Sequence, residues 1–154
     1  MIEQSKTNVA IANIKGSPLY PNLHGRVIFR QEPYGTIVTA EIYNLPISNQ
    51  KCTPNIFAFH IHEGTSCTGD LADPFSNAKS HYTPTNCPHP AHAGDLPPLF
   101  GNDGYAYLST LTNRFTVNEI IGKVVIIHDK PDDFTTAPSG NAGTKIACGE
   151  IIPL

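Results

Sequence analysis

Apolar and polar positions alternate with a period of two over several short stretches of the chain. Residues 9–14, 25–31 and 36–43 are rich in Val, Ile, Thr and Tyr and read as strands. The turn-like Glu32-Pro33-Tyr34-Gly35 separates the second from the third, as a hairpin requires. Residues 56–62 predict a fourth strand, closed by Glu63-Gly64-Thr65. From about 65 to 102 the alternation is lost, and this stretch holds six prolines, two cysteines and three histidines. So long a segment without periodicity inside a compact domain points to a functional or metal-ordered loop. Strand signals return at 105–110 and 123–128, and again at 145–152 after a second loop over 129–144. No segment keeps a helical period beyond one or two turns, and neither a repeat nor a linker interrupts the chain. The pattern therefore predicts one all-β domain over residues 1–154. Seven or eight antiparallel strands with two long loops fit a Greek-key barrel or a sandwich, and periodicity does not choose between them.

Composition narrows the class. A chain of 154 residues with 40% hydrophobic and 15% charged residues can bury a core and is neither disordered nor a coiled coil. Its 12 glycines and 14 prolines favour short strands and ordered loops over long helices. A net charge of −3 gives no electrostatic case for nucleic acid or an anionic membrane. No apolar run is long enough to span a bilayer. The polar start Met1-Ile2-Glu3-Gln4-Ser5-Lys6 lacks the apolar core of a signal peptide, so either the protein is not exported or a leader has been removed. Four cysteines permit two disulfides or a metal site.

The histidines carry the chemistry. In Phe59-His60-Ile61-His62, alternate residues share a strand face, so His60 and His62 point the same way, about 7 Å apart at Cβ. That spacing lets two imidazoles converge on one metal, although an isolated pair is more often two surface histidines. The long loop then supplies His81, His89, His92 and Asp95, a closed set of three imidazoles and a carboxylate that suits tetrahedral zinc. A loop poor in apolar residues needs another source of order, and a structural metal provides one. His128 ends the run Lys123-Val124-Val125-Ile126-Ile127 and taken singly is an ordinary strand-end histidine. With His60 and His62 it makes a three-nitrogen set with an open position, which suits copper. His24 alone is left without a role and is expected on the surface.

These segments together resemble the copper- and zinc-binding superoxide dismutases, with a bacterial look, from about Gly25 to the C-terminus. The resemblance rests on Phe59-His60-Ile61-His62-Glu63, Ser80-His81-Tyr82-Thr83-Pro84, His92-Ala93-Gly94-Asp95-Leu96, Ile127-His128-Asp129 and Gly140-Asn141-Ala142-Gly143-Thr144-Lys145-Ile146-Ala147-Cys148-Gly149. It implies an eight-stranded Greek-key β-barrel, immunoglobulin-like in its packing, with copper and zinc as cofactors and superoxide as substrate. Copper would be held by His60, His62, His81 and His128, and zinc by His81, His89, His92 and Asp95. His81 would bridge the two and shuttle a proton during a Cu(II)/Cu(I) cycle. Asp132 would hydrogen-bond His60 and His89, and Cys67 would pair with Cys148. Closing a loop of some 80 residues in this way would contribute roughly 3–4 kcal/mol through the unfolded state. Cys52 and Cys87 lie outside the family pattern. A second disulfide between them is the favoured expectation, and zinc ligation by Cys87 is the lesser one.

The sequence also departs from the family. Lys145 stands where an anion-guiding arginine is expected, keeping the charge but losing the rigid fork of donors. Docking with weaker geometric control is the expectation for it, the alternative being a surface lysine. The second loop looks short, and Lys130 lies there among Asp129, Asp132 and Asp133. A homodimer is left open. The cysteines favour an extracytoplasmic location, with the cytoplasm as the alternative. Two other functional readings share the scaffold: a non-catalytic copper/zinc-binding or copper-delivery protein, and a zinc-loaded structural domain.

Overall fold

The computed structural model describes residues 7–154, so the polar start of the chain lies outside the described residues. The chain is built almost wholly from antiparallel strands. They are β1 (Val9–Gly16), β2 (His24–Glu32), β3 (Gly35–Tyr43), β4 (Ile56–Phe57), β5 (Phe59–His62), β6 (Leu99–Phe100), β7 (Ala106–Thr112), β8 (Val124–His128) and β9 (Lys145–Pro153). The single α-turn among the described residues, α1 (Val117–Ile120), starts at a capping box in which Thr116 and Glu119 serve each other's backbone N–H. Seven strands form one curled sheet in the order β5-β8-β9-β1-β2-β3-β7, while β4 and β6 pair separately. Because β4 runs into β5 and β6 packs on β7, the small pair joins the two edges of the large sheet. The resulting fold is all-β and agrees with the barrel expected from the sequence.

Alternation determines what points inward. Ala10, Ala12 and Ile14 of β1, Val27 and Phe29 of β2, and Val38, Ala40 and Ile42 of β3 are fully or nearly fully buried in the main core. The uniformly apolar β8 has a different cause. Val125 and Ile127 face that core, whereas Val124 and Ile126 face outward and are covered by Phe75 and Ala78 of the long loop. Cys67 packs on the same small cluster and is bonded to Cys148 of β9, with Cα atoms 5.7 Å apart. The loop is thus fastened over the back of the sheet.

The expected fourth strand, 56–62, is in fact two strands. Ala58 breaks it, donating its N–H to the Lys130 carbonyl (2.8 Å) and accepting one from His128 (2.9 Å). Those bonds divert the chain from the small sheet into the large one. Side-chain alternation alone carries no sign of a change of partner.

Candidate metal centre

The site forms along the outer edge of β5, where sheet pairing ends. Two segments of the long loop cover that edge as strands would. Ile61 donates to the Gly94 carbonyl (2.9 Å) and accepts from Tyr82 (2.8 Å), while Glu63 donates to Ser80 (2.9 Å). Isolated bridges accordingly set Asp95 beside His60 and His81 beside His62. Gly94 is required at this crossing, because a Cβ there would overlap the Ile61 carbonyl oxygen. On the other side β8 pairs with β5 and ends at His128. Six histidines and Asp95 are brought together and buried by this arrangement.

Their donor atoms fall into two overlapping groups. His60, His62, His81 and His128 form one, and His81, His89, His92 and Asp95 the other, with ligand atoms in each group within 4.8 Å of one another. His81 belongs to both. Its Nδ1 meets Asp95 Oδ1 at 2.7 Å and lies 3.2 Å from His92 Nδ1, while its Nε2 faces the other way.

Hydrogen bonds set the tautomers of four rings. His60 donates from Nε2 to Asp132 Oδ2 (2.8 Å), and His89 from Nε2 to Asp132 Oδ1 (2.9 Å). His62 donates from Nδ1 to the Lys79 carbonyl (2.7 Å), and His128 from Nδ1 to the Gly143 carbonyl (3.3 Å). In each ring the opposite nitrogen is then left as a bare lone pair. These are His60 Nδ1, His62 Nε2, His128 Nε2 and His89 Nδ1, the last standing 3.0 Å from Asp95 Oδ2, acceptor facing acceptor. Together with His81 Nε2 they are the buried side-chain polar atoms, among the described residues, with no hydrogen-bond partner in the protein. Buried lone pairs without a donor are costly unless something coordinates them, so this donor set fits two metal ions.

Electrostatics point the same way. Burial lowers the pKa of His60 and takes His62 well below its ordinary value, and burial followed by the nearby His60 lowers His128 to about 3. All three are therefore neutral, and able to ligate, near neutral pH. Burial would raise the Asp132 carboxyl, but hydrogen bonds from His60, the Phe134 N–H and His89 outweigh it and bring the pKa to about 2. Asp95 is likewise lowered: burial would raise it, but the His81 hydrogen bond and the electrostatic pull of His81, His89 and His92 together outweigh burial.

A cavity of about 390 Å³ opens over His62, His81, His92 and His128, and Lys79, Cys87 and Lys145 share its wall. Lys145 is not a free surface lysine. Its Nζ pairs with Asp73 Oδ2 at 2.5 Å, a partner from the disulfide-tethered loop that sequence spacing had not suggested. The expected Cys52–Cys87 disulfide is not formed. Cys52 is exposed in the turn before β4, whereas Cys87 lies in the cavity wall with its sulfur 3.2 Å from Thr85 Oγ1. Nor does Cys87 join the second donor group, whose four members are His81, His89, His92 and Asp95. His24 is exposed and stacks on Tyr43 at 5.3 Å.

Comparison with known proteins agrees with this geometry. The family model described as copper/zinc superoxide dismutase matches residues 23–151. A "Superoxide dismutase [Cu-Zn]" of Legionella pneumophila is 32% identical, the match covering 94% of this chain and 91% of that protein. "Superoxide dismutase [Cu-Zn] 1" of Aquifex aeolicus (strain VF5) is 33% identical, over 97% and 89% of the two chains. An "Extracellular superoxide dismutase [Cu-Zn]" of Brugia pahangi is 29% identical, over 96% and 77%.

Proposed function

The chain belongs to the copper/zinc superoxide dismutase family, and from that premise we propose that it converts superoxide to oxygen and hydrogen peroxide at a copper–zinc pair sharing His81. The observation that carries this reading is the set of five buried, unpartnered imidazole nitrogens, with His81 common to both donor groups. Copper would be held by His60 Nδ1 and by Nε2 of His62, His81 and His128. Zinc would be held by His81, His89, His92 and Asp95. Bound copper supplies a one-electron couple, and zinc is redox-inert.

The protein's own groups do the rest. His81 would face zinc with Nδ1, which meets Asp95 Oδ1, and would offer Nε2, which has no hydrogen-bond partner, as the atom that holds or gives up a proton beside copper. Asp132 orients His60 and His89 by accepting from both rings, and the Lys79 and Gly143 carbonyls do the same for His62 and His128. Lys145 offers a positive charge in the wall of the cavity to an arriving anion, and Asp73 restrains that charge. Loading with copper and zinc should give one of each per chain, together with rapid superoxide dismutation. Full copper occupancy without dismutation would overturn the catalytic reading in favour of metal carriage.

The disulfide and the name of the Brugia relative support an extracytoplasmic location. Exposed Phe100, Tyr107 and Leu111 on β6 and the edge strand β7 support a homodimer, which sedimentation at two concentrations tests. No helix among the described residues is long and apolar enough to cross a membrane.

A further inference from the structure

The segment carrying His89, His92 and Asp95 has almost no regular secondary structure, and only its end at Gly94 and Asp95 is paired to β5, by isolated bonds rather than a ladder. Asp132 reaches it at the His89 ring, and a second side chain from outside the loop reaches its backbone. Arg114 Nη1 donates to the carbonyls of Pro90 (3.2 Å), His92 (3.2 Å) and Asp95 (3.3 Å). Three backbone oxygens of the loop thus converge on one cationic nitrogen, and two of them belong to residues of the second donor group. The arginine stands on firm ground. It lies between β7 and α1, its neighbour Phe115 is buried in the core, and the Phe115 carbonyl accepts the Thr36 hydroxyl at 3.0 Å. Thr116, next along, closes the capping box of α1.

We propose that Arg114 is a positioning residue for zinc, clamping the 90–95 segment to the barrel so that His92 and Asp95 stay aimed at the ion and zinc is retained. Without the guanidinium, three carbonyls that now face a charge would turn to solvent or repel one another. The backbone of both ligands would turn with them. His60, His62 and His128 stand on β5 and β8 and owe nothing to this contact. The clamp therefore acts directly on zinc and reaches copper only through the shared His81 and Asp132, an asymmetry that a general stabilising role would not produce.

This inference rests on the two-metal reading and is tested with the metal-loaded full chain. Zinc release to an excess of chelator, followed with a colorimetric zinc indicator, is compared for the parent chain, Arg114→Lys and Arg114→Gln. Retention of copper and the unfolding midpoint of the metal-free forms are measured alongside. Arg114→Gln should release zinc about tenfold faster, the lower end of what outer contacts to a ligand are worth. Arg114→Lys, which keeps a cation with three donors, should release it only about two- to threefold faster. Copper retention should change far less than zinc release in both variants, by no more than the linkage through His81 and Asp132 passes on. Unaltered zinc release in Arg114→Gln would overturn the proposal, as would parallel loss of copper and zinc. Should Arg114→Gln fail to fold, the lysine variant decides alone: zinc release at the parent rate overturns the proposal. A parent chain that takes up no zinc would instead overturn the reading beneath it, which separates the two failures.

Discussion

A single α-carbon decides whether Asp132 can reach both rings. Gly140 has φ +69°, and a Cβ there would overlap Asp132 Oδ1 and lie 2.8 Å from His89 Nε2. Gly140→Ala should therefore displace the carboxylate, costing about 1–3 kcal/mol from backbone conformation alone and weakening the holding of both metals. Thermal unfolding and metal stoichiometry of that variant check this. Lys145 poses the opposite question, of a charge held in check. Asp73→Asn should raise the second-order rate at low ionic strength about two- to threefold, and Lys145→Ala should lower it by a similar factor. Both effects should fade in high salt, and a slower Asp73→Asn enzyme would mean that the pair, rather than free Lys145, docks the anion. The two residues also show what sequence can and cannot reveal. His60 and His62 were legible because strand alternation puts them on one face. Asp73 and Arg114 were not, since their partners lie 72 and 19 to 24 positions away across irregular chain, where no period relates them.

At the scale of elements, the strands were readable to within a residue or two, because β1, β2 and β3 bury alternate side chains in the core. The exceptions are the break at Ala58, a property of backbone partners rather than of side chains, and the two-residue β6, which lies inside the stretch expected to be loop. The long loop over 65–102 was legible as an ordered segment, but the means of its ordering was only partly so. Its first part is held by the Cys67–Cys148 bond and by Phe75 and Ala78 packed on β8, and its second part by pairing along β5. The bond spans 81 residues, so its loss should remove about 4 kcal/mol on the chain-entropy account. Cys67→Ser with Cys148→Ser should lower the denaturant midpoint accordingly. Because Asp73 lies in the same tethered part, the reduced or double-mutant protein should also lose control of Lys145, which salt-dependent kinetics would reveal.

The whole molecule keeps a cluster of neutral imidazoles inside a barrel, and its stability must answer to pH. His128 titrates near 6.5 when exposed and at about 3 when folded, so the unfolded chain takes up a proton between these values that the folded chain refuses. Stability of the metal-free protein is therefore full above about pH 6.5 and falls as the pH drops toward 3. Asp132 adds in the same sense, its contribution present above 3.8 and lost as the pH falls through about 2. Denaturant midpoints of the metal-free protein at pH 7.5, 5.5 and 4.5 should fall in that order, and His128→Gln should flatten the series. Asp132 has one more consequence. A single carboxylate accepts a hydrogen bond from a ring of each donor group, so ordering either ring restricts the same two oxygens that must order the other. The affinities are then thermodynamically linked. Whatever factor zinc adds to the affinity for copper, copper must return to zinc, and Asp132→Asn should shrink both factors together in paired metal titrations.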